Sequence, residues 1–179
     1  MRVRQAARVF RLRWLAVYLV CVSLIGTGVS AATLTFEANL DGLQETPPNA
    51  SPAFGLCDLT LNDVSGLVTI TTGSYQDLLG GSTAVTLNGP AGPGTSAAVL
   101  LVLTLDTPGA ATGTFSGGGT LAAGNITDMI NGNTYVNIRS AVWPNGEIRG
   151  QLFSVPEPSS MALAFAGLAG LVLVRRRKK

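Results

Sequence analysis

Glu147 and Arg149 stand two residues apart in the run Gly146-Glu147-Ile148-Arg149-Gly150-Gln151-Leu152. On an extended strand this spacing puts both charged side chains on one face and Ile148 on the other. Such a pair can contact a polar ligand, or it can form an ion pair or cross-strand hydrogen bonds that pin a hairpin. Arg139, on a neighbouring predicted strand, is placed to reach Glu147 across that hairpin. The other acids are scattered. Asp58, Asp63 and Asp77 fit neither an EF-hand spacing nor a tandem Ca²⁺ repeat, which leaves open only weak Ca²⁺ binding by loop acids and carbonyls. Nothing in the spacing holds two carboxylates at the roughly 5–10 Å that paired-carboxylate hydrolysis needs. The chain has no histidine, which excludes histidine-based triads and histidine metal sites. No catalytic residue, metal ligand or cofactor is nominated. The Gly-rich pieces at 80–81, 89–94 and 117–119 match no P-loop or dinucleotide fingerprint and read as loops. Cys57 alternates with Leu59 and Leu61, so a buried, inert thiol is expected, with a reactive or intermolecular thiol as the alternative. Asn49-Ala50-Ser51 and Asn125-Ile126-Thr127 match the glycosylation sequon, a pattern short enough to arise by chance.

The charges are segregated. Of the 12 Lys and Arg in 179 residues, five lie in 1–13 and five in 175–179. Between residues 33 and 153, Arg139 and Arg149 face nine acids, which leaves this stretch at −7 although the whole chain is +2. Such a segment cannot neutralise phosphates, so nucleic-acid binding is excluded for it.

The elements that must position Glu147 and Arg149 show period-two patterning. Leu34, Phe36, Ala38 and Leu40 alternate with polar residues, as do Cys57, Leu59 and Leu61, and Val68 and Ile70. Residues 98–105 form a continuous apolar run, the pattern of a central strand buried on both faces. Val136, Ile138 and Val142 form another apolar row, and Ile148 and Leu152 a last one. Pro144-Asn145-Gly146 predicts a turn closing a hairpin between 134–142 and 147–153. Residues 121–131 predict one short helix ended by Asn131-Gly132. Seven to nine short strands with frequent turns predict an all-β antiparallel sandwich or barrel.

Both ends read as addresses. Arg2, Arg4, Arg8, Arg11 and Arg13 precede an apolar run, Trp14 to Ile25, and the small residues Val29-Ser30-Ala31-Ala32. This is the layout of a signal peptide over 1–31, cut after Ala31 or Ala32, with an uncleaved signal anchor as the alternative. Cys21 lies inside it, so Cys57 would be the mature domain's one cysteine and an intramolecular disulfide is excluded. At the other end, Val155-Pro156-Glu157-Pro158 is followed by an apolar segment over 159–174 and by Arg175-Arg176-Arg177-Lys178-Lys179. The apolar segment predicts a transmembrane helix, and the cations, Arg175, Arg176 and Arg177 foremost, predict a transmembrane stop on the cytoplasmic side.

Pro156-Glu157-Pro158, the short apolar helix and the Arg cluster together resemble the PEP-CTERM sorting signal over 155–179. The resemblance implies that an exosortase, a membrane enzyme, recognises the tripeptide and removes the tail, so that membrane attachment is transient. A plain C-terminal anchor accounts for the helix and the cations but not for the tripeptide. Phe36-Glu37-Ala38-Asn39-Leu40-Asp41-Gly42-Leu43-Gln44-Glu45-Thr46-Pro47-Pro48 and Tyr135-Val136-Asn137-Ile138-Arg139-Ser140, with the 146–152 run, resemble the CHRD domain over 33–153. Gly146, Glu147, Ile148, Arg149 and Gly150 are its signature, read here as architectural. The family implies an immunoglobulin-like or superoxide-dismutase-like barrel. Where many bacterial members carry histidines, this chain has Thr86, Asn88 and Arg139, poor ligands and a fixed cation, which argues against dismutase-like chemistry.

The resulting expectation is a non-enzymatic protein of a Gram-negative bacterium. It is exported through an inner-membrane intermediate to the cell surface or matrix, where exopolysaccharide or surface proteins are its partners. The alternatives are a protein- or glycan-binding module acting through loops or a sheet edge, and a metal-binding protein or enzyme.

Overall fold

The computed structural model describes residues 31–156. Eleven strands follow one another in chain order: β1 (Thr33–Asp41), β2 (Phe54–Asn62), β3 (Leu67–Gln76), β4 (Ser82–Asn88), β5 (Val99–Val102), β6 (Thr104–Leu105), β7 (Gly113–Ser116), β8 (Gly118–Thr120), β9 (Tyr135–Ser140), β10 (Ile148–Gln151) and β11 (Phe153–Val155). A 3₁₀ turn (Gly42–Gln44) follows β1, and one helix, α1 (Ala123–Ile130), lies between β8 and β9. The predicted signal peptide, transmembrane helix and basic tail lie outside the described residues. Among the described residues no helix is long and apolar enough to cross a membrane.

The strands form one antiparallel sheet in the order β5-β4-β9-β10-β1-β2-β3-β7-β6, with β8 on β3 and β11 on β1. The sheet rolls into a nearly closed barrel. Its closing piece is the apolar run 98–105, which pairs with β4 through β5 and with β7 through β6. Between the two halves, the Leu103 N–H donates to the Val85 carbonyl at 3.0 Å. The expectation of a strand buried on both faces is therefore corrected. A strand that closes a barrel has one face on the core and one on solvent, and Val102 is 74% exposed.

Alternation supplies the core. Phe36 and Leu40 of β1, Leu59 and Leu61 of β2, Val85 and Leu87 of β4, and Ile138 and Ile148 of the last hairpin all point inward and are fully buried. Met129 of α1 joins them, and Gly132 (φ +75°) ends that helix as its Asn-Gly pair predicts. Val142 does not continue the apolar row of Val136 and Ile138; it lies in the turn and is exposed. The predicted hairpin forms, with Ile148 opposite Ile138. Its turn is longer than two residues. Gly146, not Asn145, takes positive φ (+146°), and its N–H donates to the Trp143 carbonyl at 3.1 Å.

Candidate functional site

The inward-facing positions of β4, β9 and β10 are apolar, so the residues between them, Thr86, Asn88, Asn137, Arg139, Arg149 and Gln151, point away from the core. Apart from Arg139, which is half-buried, these outward residues are buried, because two loops close over them. One loop, 43–53, runs from within the 3₁₀ turn to β2; the other, 89–98, links β4 to β5. The result is a polar layer between barrel wall and loops, where every donor and acceptor removed from water needs a partner.

Arg149 is the centre of this layer. Its Nη1 donates to the Thr46 hydroxyl (3.3 Å) and the Thr95 carbonyl (2.7 Å), and its Nη2 to the Gly92 carbonyl and Gln151 Oε1, both at 3.1 Å. Its guanidinium carbon lies 3.5 Å from the centre of the Tyr135 ring. One side chain thus ties both loops to β9 and β10. Burial pulls the guanidinium below its ordinary pKa, and Tyr135 and Glu45 act in the opposite direction. Gln151 continues the pattern, its Nε2 donating to the carbonyls of Ala91 (2.9 Å) and Gly132 (2.7 Å).

Glu147, immediately before β10, serves different partners. Its Oε1 accepts from the Ser51 hydroxyl and the Leu79 N–H, both at 2.6 Å, while its Oε2 is buried without a hydrogen-bond partner. The expected ion pair with Arg149 does not form: Glu147 is engaged by Ser51 and Leu79, and Arg149 by Thr46, Gly92 and Thr95. The expected contact of Arg139 with Glu147 is also replaced. Arg139 lies on β9 as expected, but its Nε has no hydrogen-bond partner and Glu147 is engaged elsewhere. Glu45 enters the same layer from the first loop and accepts from Asn137 Nδ2 at 3.0 Å. Burial pushes the Glu45 carboxyl above its ordinary pKa, offset in part by the Thr46 backbone bond, Arg149, Arg139 and Asn137.

Gly146 and Gly150 are required by closeness. A Cβ on Gly146 would strike Glu45 Oε1 and lie 2.6 Å from Asn137 Nδ2. One on Gly150 would lie 2.7 Å from the Asn39 carbonyl of the adjacent β1. Ile148 plugs the core from the opposite face. Thr86 and Asn88 share the outer face of β4, with the Thr86 hydroxyl donating to Asn88 Oδ1 at 2.7 Å and Asn88 Nδ2 to the Ala97 carbonyl at 3.1 Å. They are spent on each other and on the second loop. Among the described residues no group of three Cys, Asp or Glu side chains is placed to hold a metal ion. Between the two loops lies an open cleft of about 280 Å³, with Leu43, Pro48 and Pro93 on its rim and Arg149 and Gln151 at its base. The loop partners Glu45, Asn49 (whose Nδ2 donates to the Glu147 carbonyl at 2.9 Å), Ser51 and Thr95 carry no sequence pattern that singles them out as partners in this layer. The outward position of Asn137 and Gln151 could have been read from the alternation.

A family model of the CHRD domain matches residues 36–152, which contain all of this layer. The chain belongs to the CHRD domain family. A second model, of the PEP-CTERM protein-sorting motif, matches residues 154–178 and begins within β11, the barrel's last strand. The motif marks an exported protein that passes through the membrane and is processed by an exosortase. Neither CHRD nor PEP-CTERM is an enzymatic family. A search of the curated proteins and of the solved structures finds no match to the chain. Of the predicted sorting residues, Pro156 is described and exposed one residue beyond β11. Glu157, Pro158, Arg175, Arg176 and Arg177 lie outside the described residues.

Proposed function

We propose that this is a non-enzymatic protein of the cell surface or extracellular matrix. In this reading the CHRD barrel over 33–153 is the cargo, 1–31 is a signal peptide, and 155–179 is a transient address. Pro156, Glu157 and Pro158 are what the exosortase recognises. Arg175, Arg176 and Arg177 hold the tail at the cytoplasmic face until it is removed. Gly146, Glu147, Ile148, Arg149 and Gly150 are architectural.

The observation that carries this reading is the match of the sorting motif from residue 154, in the last strand of a barrel whose Arg149 and Gln151 donate to its own loops. Mass spectrometry of the mature protein, combined with its location, tests it. The expected product is a surface or extracellular species lacking residues 175–179. Intact 175–179 in the membrane fraction overturns the processing.

The open cleft favours a second reading, a module that binds a neutral glycan. Its rim residue Leu43 is 77% exposed, and the arginine at its base already spends its donors on the protein. Leu43→Asp should then abolish retention on neutral surface polysaccharide while leaving the melting temperature unchanged.

A further inference from the structure

The barrel leaves almost no chain between its last strand and the sorting motif. β11 ends at Val155, and Pro156 is the next residue. Only Pro156 and Glu157 separate Val155 from Pro158, three residue steps with a reach of about 10 Å even when fully extended. An enzyme cleft that holds several residues on each side of its recognition point must therefore admit residues that belong to β11, or collide with the barrel.

β11 is built to leave. It pairs with β1 over three positions only: Thr35 with Val155, Phe36 with Ser154, and Glu37 with Phe153. None of its side chains enters the core. Phe153 is 58% exposed, Ser154 is exposed and Val155 is half-buried, whereas Leu152 just before it is fully buried. Open clefts flank it, one of about 450 Å³ beside Thr33, Thr35, Val155 and Pro156, the other of about 360 Å³ beside Ile130, Gly132 and Phe153. Prolines at 156 and 158 offer no N–H, so the ladder on β1 gains no donor from either residue. On its other edge, β1 keeps its full pairing with β2 from Thr33–Asn62 to Asp41–Phe54. A strand with few buried contacts and exposed backbone bonds opens at low free energy, while the barrel behind it stays closed.

We infer that β11 is a releasable strand whose detachment from β1 admits the sorting motif to the exosortase, so that β1–β11 pairing gates processing. Leu152 is the anchor at which peeling stops. The bond-breaking step is the enzyme's own; the strand controls only access. The inference rests on the sorting reading proposed above.

A cross-link between β1 and β11 tests it. Glu37 and Phe153 are opposed, both exposed, and absent from the core. Opposed antiparallel residues have Cα atoms about 4.5–5.5 Å apart, within disulfide range. The full-length Glu37→Cys/Phe153→Cys protein is expressed in cells that carry the exosortase, and oxidised and reduced molecules are separated by alkylation shift. The cross-linked fraction should retain residues 157–179 at least tenfold more than either single variant, which should be processed as wild type. A ten-residue Gly-Ser insert between Val155 and Pro156 should restore processing of the cross-linked molecules. Processing of the cross-linked fraction at the wild-type level overturns the gate, as does failure of the insert to rescue it. A wild-type chain that keeps its tail overturns the sorting reading itself, and the gate with it.

Discussion

On the outer face of β4, β9 and β10, Thr86, Asn137, Arg149 and Gln151 are buried beneath two loops. On the outer face of β2 and β3, the equivalent outward positions hold Phe54, Leu56, Thr69, Thr71 and Thr72, all exposed. Both faces follow the same alternation, interrupted on β3 by a bulge at Thr71, and both back onto the same apolar core. What differs is the length of chain available to cover them. Loops 43–53 and 89–98 reach over the first face, whereas β2 and β3 are joined by a tight turn in which Gly66 N–H donates to the Asn62 carbonyl. A covered polar face must find partners within the protein, so its residues are specified by geometry. An open one is satisfied by water and needs only strand-compatible side chains. Within 146–150, Arg149 lies on that covered face, while Ile148 faces the core.

The comparison breaks most readily at Arg149. Truncation to Ala leaves the Thr95 and Gly92 carbonyls without their donors and uncovers the Tyr135 ring. The expected loss is about 3–5 kcal/mol of unfolding free energy, read from the denaturant midpoint. Arg149→Lys should recover little, since an ammonium cannot reproduce the planar fork or the stacking. A loss no larger than that of an open-face substitution would place the loops' stability elsewhere.

Gly146→Ala comes next. The new methyl meets Glu45 Oε1 and the Asn137 amide at a backbone with φ +146°, so both strain and displacement of the pair are expected. The loss should be about 1–3 kcal/mol in chemical denaturation. Glu45→Ala in the same background should return part of it, because the obstructing carboxylate is then gone. An additive double variant would show that backbone strain alone is responsible.

The sequence made one side of this contrast legible and left the other hidden. Period two in Phe36-Ala38-Leu40 and Cys57-Leu59-Leu61 was enough to read the inward face and the all-β fold. The hairpin and the helix followed from Asn145-Gly146 and Asn131-Gly132, where the local chain carries its own turn signal. The partners of Arg149 were not readable. Thr46 is 103 residues away in sequence and Thr95 is 54, and both contribute through loops with no periodicity. For the same reason the ion pairs expected of Glu147 were misplaced. Neighbours in sequence share a strand face, but long side chains on that face are claimed by whichever loop lies above each one. The run 98–105 misled in another way, because apolar continuity does not distinguish a central strand from one that bends to close a barrel.

Glu45 sharpens the comparison through pH. Burial raises its carboxyl pKa in the folded protein above the value in the unfolded chain, so the fold holds that proton more tightly. The associated stability is fully present below the unfolded pKa and is lost as pH rises through the folded one. Glu45→Gln keeps an acceptor for Asn137 but cannot ionise. Its stability relative to wild type should therefore increase as pH climbs from about 4 to about 7. Melting curves of the two proteins across that range check the sign. A relative stability that falls with pH would mean that Arg149 and Arg139 outweigh the desolvation, and that the layer is wetter than its burial suggests.

The smallest effect is expected on the open side. Thr69 lies opposite Thr60 on β2, with its side chain in solvent. Thr69→Val preserves the branched Cβ that suits a strand and removes a hydroxyl that water already satisfies. The change in unfolding free energy should stay within about 0.5 kcal/mol, at the limit of what a denaturation midpoint resolves. The value of so small a number lies in its contrast with Arg149. If Thr69→Val instead costs more than about 1 kcal/mol, an exposed hydroxyl is being held by something other than bulk water. The open face would then be specified by geometry as the covered one is, and a partner lying across its threonines would be the first thing to seek.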